Sequence, residues 1–308
     1  MTEARLTVSF PGNALREAVG ELPEGVEPVQ WDMQGPAPRA HIDIVVPPYM
    51  GAKKTLNHLE SVETRLVQSQ SIGYDGVEQV LPPGVVYANA ASVHETSTAE
   101  LALALTLASQ RGIPDLVRAG DAGRWAPARH QSLADRTVLL LGYGGVGKAI
   151  EARLLPFEAN VVRVAHHART DERGPIHAID EVPALLPDAD IVIVAVPLGP
   201  GTTGLVDEEF LAAMPDGALL VNVARGAVAD TDALVRHAAP GRLRLALDVT
   251  DPEPLPPGHP LYGLPNVLIT PHVGGASTAM LPRMARLLRA QIERMLAGEP
   301  PLNVVLRT

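Results

Sequence analysis

Residues 137–155 read TVLLLGYGGVGKAIEARLL: an apolar, β-branched run, then three glycines spaced Gly142-x-Gly144-x-x-Gly147, then a helix-compatible stretch. The order strand, glycine loop, helix is what gives the spacing its meaning. The first glycine permits a tight turn, the second lets the backbone approach a pyrophosphate, and the third lets helix and strand pack closely. The helix N-terminus then faces the anion. The backbone of Gly142, Tyr143, Gly144, Gly145, Val146 and Gly147 is therefore expected to cradle a dinucleotide.

Gly142 through Lys148 also satisfies G-x-x-x-x-G-K, the start of a nucleoside-triphosphate loop. That reading fails at the next residue, since Ala149 has no hydroxyl to ligate magnesium. A ligand-free glycine turn is the bland alternative, and the βαβ setting argues against it. About twenty residues past such a loop an acidic side chain normally holds the ribose hydroxyls of NAD. Here His166, His167 and Arg169 stand instead. Arg and His can hydrogen-bond to a 2′-phosphate that a carboxylate would repel, so NADP is favoured over NAD. A solvated loop is the duller reading of the two histidines. A metal pair is disfavoured, because neighbours on an extended segment point to opposite faces.

Outward from the loop, further apolar runs follow at Asn160 to Ala165, Asp190 to Val196, Ala218 to Val223, Leu245 to Val249 and Val267 to Thr270. Nearly continuous apolar strands indicate a parallel sheet covered by helices on both faces, the doubly wound α/β architecture. Upstream, shorter runs at Leu6 to Phe10, His41 to Val46, Arg65 to Ser69 and Val85 to Ala88 have the rhythm of a smaller α/β unit. Between the two series, Thr98 to Gln110 is Ala- and Leu-rich without Gly or Pro and predicts a long helix. A last helix is expected around Thr278 to Ala297, folding back onto the first unit.

The 308 residues are 46% hydrophobic, enough for two domains, and the formal charge of -10 is spread along the chain. That balance disfavours a nucleic-acid or anionic-membrane partner. There is no cysteine, which removes disulfides, thiolate nucleophiles and Cys-ligated zinc and suits a reducing cytoplasm. No leader, membrane span, repeat or appended regulatory module is read in the chain.

Three segments carry more chemistry: LLVNVARGAVADTDAL around Arg225, LALDVTDPEPLP around Glu253 and NVLITPHVGGAST around His272. With SQSIGYDGVE, STAELALAL and VAVPLGPGTTGLV, the chain resembles the D-isomer-specific 2-hydroxyacid dehydrogenase family over most of its length. The resemblance implies a Rossmann dinucleotide-binding domain at 98–275. It also implies a smaller flavodoxin-like substrate domain built from both chain ends, 1–97 with 276–308. It implies hydride transfer between NAD(P)H and a small 2-keto or 2-hydroxy acid, of glyoxylate or hydroxypyruvate reductase type. The other readings are a phosphoglycerate-type dehydrogenase and a non-catalytic NAD(H)-sensing scaffold, the latter told apart by its lack of turnover.

By the same resemblance Arg225 grips the substrate carboxylate, helped by backbone N–H groups near Ile72 and Gly73. His272 is the proton donor, and Glu253 fixes its tautomer. Asp248 is assigned to the nicotinamide carboxamide, while Thr98, Val223 and Ala224 seat the ring and Val196, Pro197 and Thr202 line the cofactor path. A homodimer is implied through the long helix near residue 100. Substrate choice falls to PPYMGAKKT, where Lys53 and Lys54 read as a solvated helix start rather than a phosphate site. His94 and His130 read as structural or exposed, and no metal is expected.

Overall fold

A computed structural model describes residues 6–49 and 52–308. Residues 1–5, and Met50 and Gly51 of the expected substrate segment, lie outside them, as does the side chain of Lys53. Five strands open the chain: β1 Leu6–Phe10, β2 Val26–Gln30, β3 Ile44–Val45, β4 Leu66–Gln68 and β5 Val86–Ala88. Then come β6 Thr137–Leu141, β7 Asn160–Ala165, β8 Arg169–Asp171, β9 Gly174–Ala178, β10 Ile191–Val194, β11 Leu219–Asn222, β12 Arg244–Leu247 and β13 Val267–Ile269. The last strand is β14, Val304–Arg307.

The chain divides into two compact units, one formed by the segment through His94 with Ser277–Thr308, the other by Glu95–Ala276. In the first, the sheet order is β14-β5-β4-β3-β1-β2. The strands β1 to β5 run parallel in the flavodoxin-like order, and β14 adds antiparallel to β5. Pro28 is tolerated in β2 because that strand is an edge, where a missing N–H breaks no ladder. One face packs Leu6, Val8 and Ile44 against Leu15 and Val19 of the helix Asn13–Val19 and Met284, Leu288 and Ile292 of the helix Met280–Leu296. The returning C-terminal helix thus belongs to this core.

In the second unit the order is β13-β12-β11-β10-β6-β7-β9-β8. All neighbours are parallel except the β8–β9 hairpin at the edge. Period-two alternation sorts each strand between two cores: Leu139, Leu141, Val192 and Val194 face one, while Val138, Leu140, Ile191 and Ile193 face the other. The helix Glu95–Gln110 closes the second core with Ala99, Ala102 and Leu103. Each fully buried Val or Leu contributes about 1.5–3 kcal/mol relative to exposure. The chain leaves β6 in opposite directions to β7 and β10, so the sheet reverses at β6. Ligands of such sheets sit outside the carboxyl ends of the strands at that reversal.

The strand expectations hold at their centres; Leu6–Phe10, Thr137–Leu141 and Asn160–Ala165 match at both ends, and the largest overshoot is at His41 to Val46, where only Ile44–Val45 is strand. The long helix begins at Glu95, earlier than Thr98, and lies wholly in the second unit. No helix among the described residues is long and apolar enough to cross a membrane.

Candidate active site

The glycine loop follows β6 at the reversal. Gly142 sits at φ 100°, and a Cβ there would lie 2.5 Å from the Ala195 carbonyl oxygen. A Cβ on Gly147 would lie 2.0 Å from the Gly142 carbonyl oxygen. Both positions are closed by backbone, so no side chain fits. Gly144 differs: nothing lies within 4 Å of where its Cβ would be. The protein does not need that glycine for its own packing, and the open space at the N-terminus of the helix Gly145–Leu154, which has no side-chain cap, fits a pyrophosphate.

Beneath the loop, Tyr143, Glu151 and Arg163 are buried together. The Tyr143 hydroxyl donates to Glu151, Arg163 reaches the same hydroxyl at 3.4 Å, and Arg173 meets Glu151 at 2.7 Å. Arg163 also donates to Asp171 at 2.8 Å and to the Pro175 carbonyl at 3.1 Å. Burial pushes the Tyr143 hydroxyl above its ordinary pKa, with the Glu151 carboxylate adding to the shift. This hub fastens the β8–β9 hairpin to the loop. His166, His167 and Arg169 are exposed at that hairpin, the histidine rings edge to face at 4.3 Å, and Arg169 reaches the Tyr143 carbonyl at 3.4 Å.

At the carboxyl ends of β11, β12 and β13 three turns are laced together. Asn222 accepts from the Ala224 N–H at 3.0 Å and donates to the Arg225 carbonyl at 3.1 Å, which bends the chain sharply at Val223 and Ala224. The Asp248 N–H donates to the Asn222 carbonyl at 2.9 Å, and the His272 N–H to the Asp248 carbonyl at 2.8 Å. The buried Asp248 carboxylate accepts from Thr270 Oγ1 at 2.6 Å and from the N–H groups of Val273 and Gly274, each at 2.9 Å. A Cβ on Gly274 would meet Asp248 Oδ2 at 3.0 Å and Thr98 at 3.4 Å, so Thr98, Asp248 and Gly274 share one spot. A Cβ on Gly226 would lie 1.9 Å from the Thr250 carbonyl, which sets the Arg225 turn directly on the segment leading to Glu253.

His272 Nδ1 lies 2.7 Å from Glu253 Oε1, with 39% and 44% of the two side chains exposed. A carboxylate accepts only from a protonated nitrogen, so Nδ1 carries hydrogen and Nε2 is left to exchange a proton. Arg225 donates to the Ala224 carbonyl at 2.7 Å. On the cofactor path, Thr202 Oγ1 donates to the Pro197 carbonyl at 2.6 Å and accepts from the Gly199 N–H at 2.9 Å, holding the turn after Val196. In the first unit, Ile72 and Gly73 sit on a loop fastened by Asn89, which donates to the Ile72 carbonyl at 2.8 Å. His94 there is buried, bonded to the Gln70 carbonyl at 2.6 Å and stacked on Tyr49.

Sequence reading passed over Asn222, Thr270, Gly226 and the Tyr143–Glu151–Arg163 hub. The glycine after Arg225 and the Thr-Pro before His272 were the available signals. For Asp248 the structure adds a task, since its carboxylate holds the turn that carries His272.

A glycine loop at the sheet reversal, beside a carboxylate-steered histidine and an arginine at neighbouring strand ends, defines a dinucleotide-dependent oxidoreductase. A family model for the D-isomer specific 2-hydroxyacid dehydrogenase NAD-binding domain matches residues 103–274. The chain is 30% identical over 289 residues to the human glyoxylate reductase/hydroxypyruvate reductase, covering 88% of each. It is 29% identical to a D-isomer specific 2-hydroxyacid dehydrogenase from Xanthobacter autotrophicus solved with NADPH and MES, with TM-score 0.81 over 98% of each chain. An NADPH-dependent glyoxylate/hydroxypyruvate reductase from Sinorhizobium meliloti, solved with NADP and malonate, is 26% identical with TM-score 0.77, covering 98% of this chain and 97% of that one. The chain belongs to the D-isomer-specific 2-hydroxyacid dehydrogenase family, and it is an NAD(P)-dependent enzyme of that class.

Proposed function

We propose that this enzyme reduces short 2-keto acids of the glyoxylate and hydroxypyruvate type to D-2-hydroxy acids, with His272 as acid, Glu253 as its orienting partner and Arg225 as the carboxylate grip. The observation that carries the reading is the 2.7 Å contact between His272 Nδ1 and Glu253 Oε1. Bound NAD(P)H supplies the hydride. As charge gathers on the carbonyl oxygen, imidazolium Nε2–H gives up its proton there, and the neutral ring keeps Nδ1–H on Glu253. Arg225 offers a planar fork to the substrate carboxylate and polarises the adjacent ketone. Oxidation runs the same transfer backwards.

The unit containing Ile72 and Gly73 acts as the substrate domain in this reading, its backbone N–H groups supporting the carboxylate. NADP is the preferred cofactor, supported by His166, His167 and Arg169 where an acid would stand. A homodimer in the cytoplasm completes the proposal. It is supported by apolar exposure along one segment, where Ile113, Leu116, Val117 and a 95% exposed Trp125 meet water in the single chain. The test is oxidation of NADPH and NADH against glyoxylate, hydroxypyruvate, pyruvate and longer 2-keto acids. Turnover highest with the short acids and NADPH supports the proposal. Cofactor binding without turnover of any of them contradicts it.

A further inference from the structure

Two opposite charges on the edge strand of the second unit stand side by side and are not paired. β8 is exposed throughout, and it carries Arg169 at one end and Asp171 at the other. Side chains at i and i+2 of a strand lie on one face, about 7 Å apart along it, so coulombic attraction makes Asp171 a ready partner for Arg169. Arg169 nevertheless meets only carbonyl oxygens, those of Tyr143 at 3.4 Å and His167 at 3.5 Å, and has no carboxylate partner among the described residues. Asp171 turns instead to the Arg163 guanidinium at 2.8 Å and the Arg173 N–H at 2.9 Å. The Arg173 N–H and the Arg163 guanidinium hold its carboxyl below the usual carboxylate range, so it stays charged at neutral pH.

Arg163 comes from β7 and is only 3% exposed. Its guanidinium lies 5.3 Å from the centre of the Tyr143 ring, donates to the Pro175 carbonyl at 3.1 Å and stands 3.7 Å from Glu151. Glu151 has a nearer cation in Arg173, at 2.7 Å, so Asp171 is the carboxylate that Arg163 serves. Two guanidiniums and two carboxylates thus cancel inside the hub. Such a cluster is a weak source of stability, since apolar side chains of similar volume often do as well or better. What it does achieve is placement: Asp171 is drawn away from Arg169.

We propose that Arg163 is a positioning residue for cofactor choice. By holding the Asp171 carboxylate it leaves Arg169 unneutralised, ready to take the 2′-phosphate of NADP in its planar fork. Without Arg163, Asp171 both claims Arg169 and repels the phosphate. This rests on the proposed NADP preference, with Arg169 as its reader.

Calorimetric titration of the full-length protein with adenosine 2′,5′-diphosphate and with adenosine 5′-monophosphate isolates the extra phosphate, and the ratio of the two affinities is the readout. A parent without preference for the diphosphate, or a preference that survives Arg169→Ala, sinks the reading of Arg169 and this inference together. Where the preference needs Arg169, Arg163→Met should cut the ratio about tenfold, as expected for a lost charge-assisted bond, with monophosphate affinity little changed. Asp171→Asn alone should move the ratio less than about twofold, because its carboxylate is already engaged, yet should restore the ratio when added to Arg163→Met. A hairpin merely loosened by the loss of Arg163 is not rescued by weakening a second of its bonds. A ratio unmoved in Arg163→Met, unrestored in the double variant, or raised about tenfold by Asp171→Asn alone overturns the proposal and leaves the Arg169 reading standing. Should Arg163→Met fail to fold, the double variant decides, since Glu151 keeps Arg173 and no carboxylate of the hub is left unmatched: the parent's ratio supports the proposal and a lost ratio overturns it.

Discussion

At His272 the backbone takes φ 53°, a left-handed conformation uncommon for a residue with a side chain. Its N–H is pinned to the Asp248 and Thr270 carbonyls at 2.8 and 3.0 Å, so the surrounding turn holds the strain rather than relaxing it. The result is a ring delivered to Glu253 from a rigid base. Removing a positioned acid costs about 10²–10⁴-fold in rate. His272→Ala should therefore lose that much kcat while NADPH still binds as tightly by fluorescence titration; unchanged kcat would remove His272 from the chemistry. Arg225→Ala should raise the keto-acid KM as well as lower kcat. The loss should be about 1.5–3 kcal/mol of binding, the usual worth of hydrogen bonds to a charged group. An unchanged KM would show that another group holds the carboxylate.

Among the elements, the glycine loop separates packing from binding. Gly147→Ala would drive a Cβ to 2.0 Å from backbone, so it should destabilise the fold by about 1–3 kcal/mol or more. Gly144→Ala meets open space, so its urea midpoint should stay within about 0.5 kcal/mol of the parent. Its NADPH affinity should nevertheless fall, because the new methyl group enters the space read as the pyrophosphate's. Equal affinity in Gly144→Ala would place the cofactor elsewhere. The strands before this loop and after its helix were legible because β6 and β7 are mostly apolar and β-branched, with Asn160 and Arg163 of β7 the exceptions, and both match their expected bounds. β2 was not, since VEPVQ carries a proline and a charge that only an edge strand accommodates. The β8–β9 hairpin was hidden for a related reason: β8 is exposed throughout, so no burial pattern marks it. The motif segments pointed to Arg225, Asp248, Glu253 and His272. The lacing by Asn222 and Thr270 was not legible, because those bonds form only once β11, β12 and β13 lie side by side.

For the whole molecule, the exposed apolar segment from Ile113 to Trp125 makes the homodimer testable. Sedimentation should give a dimer, and Val117→Glu should shift it toward monomer; a parent protein that sediments as a monomer would contradict the assembly proposed. The fold, the glycine loop and the steered histidine converge on one reaction. Its most direct measurement is the oxidation of NADPH by hydroxypyruvate, followed at the nicotinamide absorbance in the parent and in His272→Ala, with chiral analysis of the glycerate formed. The expected result is D-glycerate from the parent, in step with the NADPH consumed, and almost none from the variant. Product of the L configuration, or equal rates in the two proteins, would contradict it.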